Sequence, residues 1–207
     1  MIEDKSLKRA IKTAVKHGGC CLWINRETDN VDFWTEEWRA ATDTGELRAH
    51  LRESMALIVE MLGYLPERPV KIFKGNGEYM EAGIMPEMAE AELNSFDGPG
   101  LDEVKYLPMS WRGHHLCMTG RTGLYFHDGG APFCICKKRY INGNDCIVAT
   151  DEDNGEGVFV RAFTRHTRYA DERDKQLELA HLGSFAWVSF DEERPDMEQM
   201  EVEEDEG

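Results

Sequence analysis

Between Asp4 and His17, the apolar residues Leu7, Ile11, Ala14 and Val15 recur at helical spacing, and Gly18 and Gly19 follow them. The pattern predicts an amphipathic first helix with a glycine stop. Two short apolar runs come next, CCLWI (20–24) and VDFW (31–34), and they predict a hairpin across the polar stretch RETDN. A stripe of Leu47, Leu51, Met55, Ile58 and Leu62 predicts a second helix over 46–62. Asp43 and Glu46 stand at capping-box spacing before it, and Gly63 suits its end. PVKIFKGNGEYMEAG (69–83) reads as a second hairpin turning at Asn76-Gly77. MPEMAEAELNSF (85–96) reads as a short acidic helix, and Gly98-Pro99-Gly100 marks a sub-boundary near 97–101.

The second half alternates more than it repeats at helical period. Strands are predicted near 114–119, 123–128, 132–140, 145–150 and 157–165, joined by GRTG, DGGAP, INGND and DEDNGEG. A late helix follows over 169–182, and SFAWVSF (184–190) reads as a last strand. The expected class is α+β, with an N-terminal helix-hairpin-helix half and a C-terminal antiparallel β-meander carrying one late helix. Residues 1–190 are expected to form a single domain, and 191–207 a disordered acidic tail.

Charge changes this picture mainly at the C-terminus. The 207 residues hold 24 Lys and Arg against 40 Asp and Glu, a formal net charge of −16. The segment DEERPDMEQMEVEEDEG has ten acids and one base, so −9 sits on the tail and −7 on the other 190 residues. That tail has no aromatic residue and cannot bury enough surface to offset its ordering entropy. The N-terminus lacks the apolar core of a secretory leader, and no run approaches the roughly 18 apolar residues of a membrane span. A cytoplasmic protein with reduced thiols is the expectation.

Candidate chemistry is concentrated in 111–146, which holds four of the six cysteines and three of the seven histidines. Cys134 and Cys136 would share one face of a strand. A sheet could bring them near His115, Cys117 and Cys146, a donor set that could hold zinc. The plainer reading is that these thiols pack as small hydrophobes among Phe133, Ile135, Ile147 and Val148. Cys20-Cys21 follow a helix C-terminus, where the dipole disfavours a thiolate, and read as strand core.

The order of His114-His115, then Asn142 or Asn144, then His166 is similar to that of the ligands in HNH nucleases. The chain departs from that pattern, because His166 falls near a strand end rather than in a helix. Asp97 with Glu103-Val104-Lys105 is similar to the acids and lysine of PD-(D/E)xK nucleases, although a Glu-x-Lys triplet is common by chance. Lys74-Gly75-Asn76-Gly77 lacks the further glycines and helix of a phosphate loop. Asp151-Glu152-Asp153-Asn154-Gly155 fails as a calcium loop, with Ala162 where the bidentate Glu belongs. There is no His-Glu-x-x-His, Gly-x-Ser-x-Gly or Walker A motif.

One basic and aromatic stretch runs against the acidity: Lys137, Lys138, Arg139 and Tyr140, then Arg161, Phe163, Arg165, Arg168 and Tyr169. Cations for phosphates and flat rings for bases are what a single-stranded nucleic-acid platform needs. In that reading the acidic tail would compete with nucleic acid for the patch.

The reading favoured on balance is a non-catalytic, acidic protein that binds another macromolecule and needs no cofactor. In concrete form it is an inhibitor of a basic, nucleic-acid-handling protein, acting by charge mimicry. The contacts would come from Glu87, Glu90, Glu92, Asp97, Asp102 and Glu103, with Glu203, Glu204 and Asp205 in the tail. The partner expected is a protein with a basic surface, and no membrane is involved. A single-stranded nucleic-acid-binding protein is the alternative, and a metal-dependent hydrolase using His114, His115 and His166 is the third reading.

Overall fold

The structure, a computed structural model, describes residues 2–43, 45, 50–111, 114–119, 124–128, 131–132, 139–151 and 156–164. These belong to one compact unit, Met1–Arg168. The described residues include the helices and strands α1 (Asp4–His17), β1 (Cys20–Asn25), β2 (Asn30–Trp34), β3 (Trp38–Asp43), α2 (Arg52–Leu62), β4 (Val70–Gly75), β5 (Glu78–Gly83), α3 (Pro86–Asn94), β6 (Gly100–Trp111), β7 (His114–Thr119), β8 (Leu124–Asp128), β9 (Arg139–Asn142), β10 (Cys146–Asp151) and β11 (Glu156–Thr164). The strands are joined in the order β10-β9-β6-β7-β8-β11-β3-β2-β1-β4-β5, and β10 also pairs with β11. Every strand pairing is antiparallel.

This overturns the expected division into a helix-hairpin-helix half and a separate meander. The protein is mostly antiparallel sheet, and strands from both halves are continuous with one another. The joint is β11, whose Gly157–Val160 pair with Trp38–Ala41 of β3. Two strands were not anticipated. β3 has the sequence WRAATD, whose two alanines and terminal Asp give little strand propensity. It forms because alternate residues Trp38, Ala40 and Thr42 are buried against the core, and because Thr35 closes the turn before it. The Thr35 Oγ1 accepts from the backbone N–H of Glu37 and Trp38. β6 contains Pro108, which cannot donate to a ladder. The register with β7 shifts between Tyr106 and Ser110, and that irregularity accommodates the proline. The late helix over 169–182, the strand over 184–190 and the tail lie outside the described residues.

β1 and β2 of the sheet are covered on both faces, whereas β5 is exposed throughout. On one face α1 places Leu7, Ile11 and Val15, and α2 places Leu57, Ile58 and Met61, over Cys20, Leu22, Val31, Phe33, Val70 and Ile72. Each such large apolar side chain contributes roughly 1.5–3 kcal/mol on full burial. On the opposite face α3 places Ala89 and Leu93, followed by Phe96, over Cys21, Trp34, Cys146 and Val148. At the end of α1, Gly19 turns the chain into β1 with φ +110°, and a Cβ there would lie 2.5 Å from Lys71 Cε.

The cap of α2 also differs from expectation. The helix begins at Arg52, and its N-cap residue Leu51 offers no side-chain hydrogen bond. Asp4, at the start of α1, does the capping instead. Its carboxylate accepts from the backbone N–H of Glu53 at 2.7 Å and of Ser54 at 2.9 Å, and from Ser54 Oγ at 2.6 Å. One carboxylate thus meets the positive end of one helix while starting another. A second long-range tie is the buried Glu156, which accepts from the Ile2 N–H at 2.7 Å and lies 3.5 Å from His50 Nε2. Asp4→Ala is expected to lower stability by about 1–2 kcal/mol, read as a lower urea midpoint at unchanged m-value.

Candidate functional site

Nine acids are expected at the contact surface, three of them in the tail, and the structure separates the other six by what they already hold. Glu92 on α3 accepts the indole N–H of Trp34, 2.7 Å from Nε1. Trp34 is one of the most buried side chains in the molecule, so this bond satisfies a polar group that water cannot reach. Asp97, just after α3, accepts Arg39 Nη1 on both carboxylate oxygens at 3.0 Å. Arg39 Nε in turn donates to the buried Asp32 at 2.7 Å, and its guanidinium lies over the Phe159 ring at 5.1 Å. Burial raises the Asp32 carboxyl above its ordinary range, and the Arg39 charge only partly opposes that.

Glu87 and Glu90 are different. Both are exposed on the outer side of α3, and no ion pair joins either to a cation among the described residues. Asp102 and Glu103 lie on β6, Asp102 half-buried and Glu103 exposed, in register with Ile141 and Tyr140 of β9. Glu203, Glu204 and Asp205 lie outside the described residues.

Beside Glu87 and Glu90 stand Met85 and Met88, 62% and 58% exposed, the two most exposed large apolar side chains among the described residues. They border a cleft of about 890 Å3 that opens between the C-terminal end of α1, α3 and the sheet. Its walls include Trp34, Ile84 and Phe96, and its polar groups include His17, Lys71 and Glu36. The cleft falls within the volume range of ligand pockets, roughly 300–1,000 Å3. On the outer face of α3, exposed methionines beside the exposed carboxylates of Glu87 and Glu90 suit a long cationic side chain, whose methylene stem lies on apolar surface while its head stays in water.

The basic and aromatic residues do not form one free face. Arg161 is held on several sides: Nε donates to the Glu36 carbonyl at 2.8 Å, Nη2 donates to Ser95 Oγ, and the guanidinium lies over Phe96 at 4.2 Å. Tyr140 packs against the core beneath α3, and Arg139 is half-buried on β9. Phe163 pairs with Phe126 of β8 in backbone register. Lys137, Lys138, Arg165, Arg168 and Tyr169 lie outside the described residues, as does His166.

The thiols are divided as well. Cys117 packs with Val104, Ile141, Ile147 and Ala162. Cys146 packs in another cluster, with Trp34, Phe96 and Val148. His115 is placed by backbone register opposite Ser110 and His127, and His114 opposite Trp111 and Asp128. Cys134 and Cys136 lie outside the described residues. Among the described residues no group of three or more His, Cys, Asp or Glu is placed to hold a metal ion, and no helix is long and apolar enough to cross a membrane.

Burial pushes the Cys117 thiol up to about 12 and Cys146 to about 11, the latter partly offset by the Arg161 charge. Cys21, on the cleft wall, is pushed to about 12 by burial and by Glu92, with Lys71 opposing. None of these is an activated nucleophile. The chain matches no family model, no curated protein and no solved structure.

Three measurements check this account. Arg39→Ala leaves Asp32 buried without its cation and is expected to cost about 3–5 kcal/mol. Asp97→Ala removes a half-exposed partner and is expected to cost no more than about 1 kcal/mol. Alkylation at pH 8 should be far slower at Cys21, Cys117 and Cys146 in the folded protein than in urea. Because these thiols are harder to ionise when folded, their contribution to stability is complete below the ordinary thiol value and is lost as pH rises toward 11–12. The urea midpoint is therefore expected to fall across that alkaline window.

Proposed function

We propose that the protein acts by binding a partner protein with a basic surface, through the outer face of α3 and the cleft beside it, without catalysing a reaction. One observation carries this reading: Glu87 and Glu90 are exposed and unpaired among the described residues, and they stand next to Met85 and Met88. Carboxylates with no ion pair to a described cation, set beside exposed apolar surface, are a feature of recognition surfaces. Lys or Arg side chains of the partner would lay their stems on the methionines and bring their heads to the carboxylates.

Acids that engage cations in this way would occupy a groove that otherwise takes phosphates, which makes the protein an antagonist of a nucleic-acid-handling partner. The acidic tail, with Glu203, Glu204 and Asp205, would raise the encounter rate through its longer-range field, and this contribution would fade with salt. Asp102 and Glu103 would extend the same field from β6. The positions of Glu92 and Asp97 assign them to holding α3 in place rather than to the contact itself.

The experiment is a pull-down with the tagged full-length chain from lysate of its source cells, with and without nuclease, followed by titration of the captured partner. A basic protein retained after nuclease is expected. The double substitution Glu87→Gln with Glu90→Lys should weaken its binding at least tenfold at low salt while lowering the urea midpoint only slightly, through loss of the Glu87 charge from the first turn of α3. Unchanged affinity in that variant, or loss of every partner after nuclease, would overturn the reading.

A further inference from the structure

In the described sheet, each strand has neighbours on both sides except β5, which pairs only with β4. Its outer edge is therefore a row of backbone donors and acceptors with no strand beside it. Proteins guard such edges with proline, charged side chains and lysine above all, bulges or very short strands. β5 has the sequence EYMEAG, six residues with no proline or lysine; its charges are Glu78 and Glu81, and its register with β4 is unbroken from Val70↔Gly83 to Gly75↔Glu78. All six residues are exposed.

The hairpin fixes which backbone groups face outward. The turn residues Asn76 and Gly77 both have positive φ, 52° and 88°, the form of a two-residue hairpin loop. Gly75 and Glu78 flanking it are then a hydrogen-bonded pair, and the pairs alternate from there. Glu78, Met80 and Ala82 turn their backbone groups toward β4. Tyr79, Glu81 and Gly83 turn theirs outward.

Exposed apolar side chains border this edge on both faces of the sheet, Met80 on one and Tyr79 on the other. Of the seven exposed large apolar side chains among the described residues, five belong to β5 or to α2 and the residues just after it: Val59, Tyr64, Leu65, Tyr79 and Met80, between 42% and 49% exposed. The two elements are neighbours, because the Tyr64 hydroxyl donates to the Glu81 carboxylate.

The geometry points to a second copy of this chain as the occupant of this edge, paired antiparallel through β5 about a two-fold axis at Met80. The sequence of the strand is complementary to itself in that register. Tyr79 of each chain faces Glu81 of the other and exchanges both backbone hydrogen bonds with it, four in total. The phenol and carboxylate of each such pair lie side by side, with opposite polarity. Met80 faces its own copy in a non-hydrogen-bonded pair, where side chains approach most closely. Glu78 faces Ala82, so no carboxylate stands directly opposite another. Centring the two-fold on Glu81 instead would set Glu81 against Glu81, a like-charge pair that disfavours that register. The interface is isologous and therefore closed, which ends growth at a dimer.

Sedimentation velocity on the full-length chain, over a rising concentration series, tests the association, and disulfide trapping tests the register. The wild-type chain should pass from monomer to dimer. Met80→Lys, at a half-exposed position, should keep its urea midpoint yet lose the dimer, because two ammonium groups would then meet across the axis. Met80→Cys should cross-link to itself under mild oxidation at least tenfold faster than Tyr79→Cys or Glu81→Cys, since facing Cα atoms in a non-hydrogen-bonded pair are within disulfide reach. A chain that remains monomeric at every concentration, or a dimer unaffected by Met80→Lys, would overturn the proposal. Equal cross-linking at positions 79, 80 and 81 would overturn the register.

Discussion

The buried indole of Trp34 and the nearly buried guanidinium of Arg39 both need polar partners, and the C-terminal turn of α3 supplies them. Glu92 takes the indole N–H, and Asp97 takes the guanidinium that also holds Asp32. Three further bonds fasten the same turn: Ser95 Oγ accepts from Arg161, the Phe96 carbonyl accepts from Asn142 Nδ2 at 2.6 Å, and the Asp97 carbonyl accepts from Asn144 Nδ2. β2, β3, β11 and the turn after β9 are thereby held to one short segment, residues 92–97. Leaving any of these groups buried and unpaired would cost about 1–3 kcal/mol, so the segment has little freedom to move. A nine-residue helix with a weakly apolar sequence would be marginal alone. Here it is fixed at its C-terminal end, and its inner face is anchored by Ala89 and Leu93.

That constraint determines what α3 can present. With Glu92 and Asp97 committed inward, the outward face is left to Glu87, Glu90, Met85 and Met88. A face held by the rest of the fold loses little side-chain and backbone freedom on binding, which favours affinity for a given contact area. The same residues on a free helix would have to pay that ordering entropy at the moment of contact.

Much of the N-terminal half is legible in the chain because its determinants are local. The stripe of Leu7, Ile11 and Val15 marks α1, Asn76-Gly77 marks the β4–β5 turn, and Pro86 suits the first turn of α3. What escaped the sequence depends on residues far apart. β3 has poor strand propensity and is made a strand by neighbours on both sides, β2 and β11. The cap of α2 comes from Asp4, 49 to 50 positions away. The same distance effect governs the site. Glu87 and Glu90 are exposed, with no ion pair to a cation among the described residues. Glu92, Asp97 and Arg161 have local sequences no different in kind, and only partners 58 to 66 residues away distinguish them as internal ties. Charge pattern alone reports how many acids there are, not which are in use.

The two surfaces inferred here are physically independent in origin, and this bears on how they could act together. The β5 edge is open because the pairings that involve β6–β11 leave no strand beside it, whereas the α3 face is acidic because its inner side has taken the bonds it needs. A two-fold axis at Met80 would place two α3 faces on one body without altering either. A partner offering a single basic site would gain nothing from that arrangement except statistics. A partner that is itself two-fold, or that repeats its basic site along a chain, would bind the second face at high effective concentration, and avidity would exceed the affinity of one face by orders of magnitude without a new contact. The symmetry of the partner, more than the number of carboxylates, would then set how tightly the complex holds.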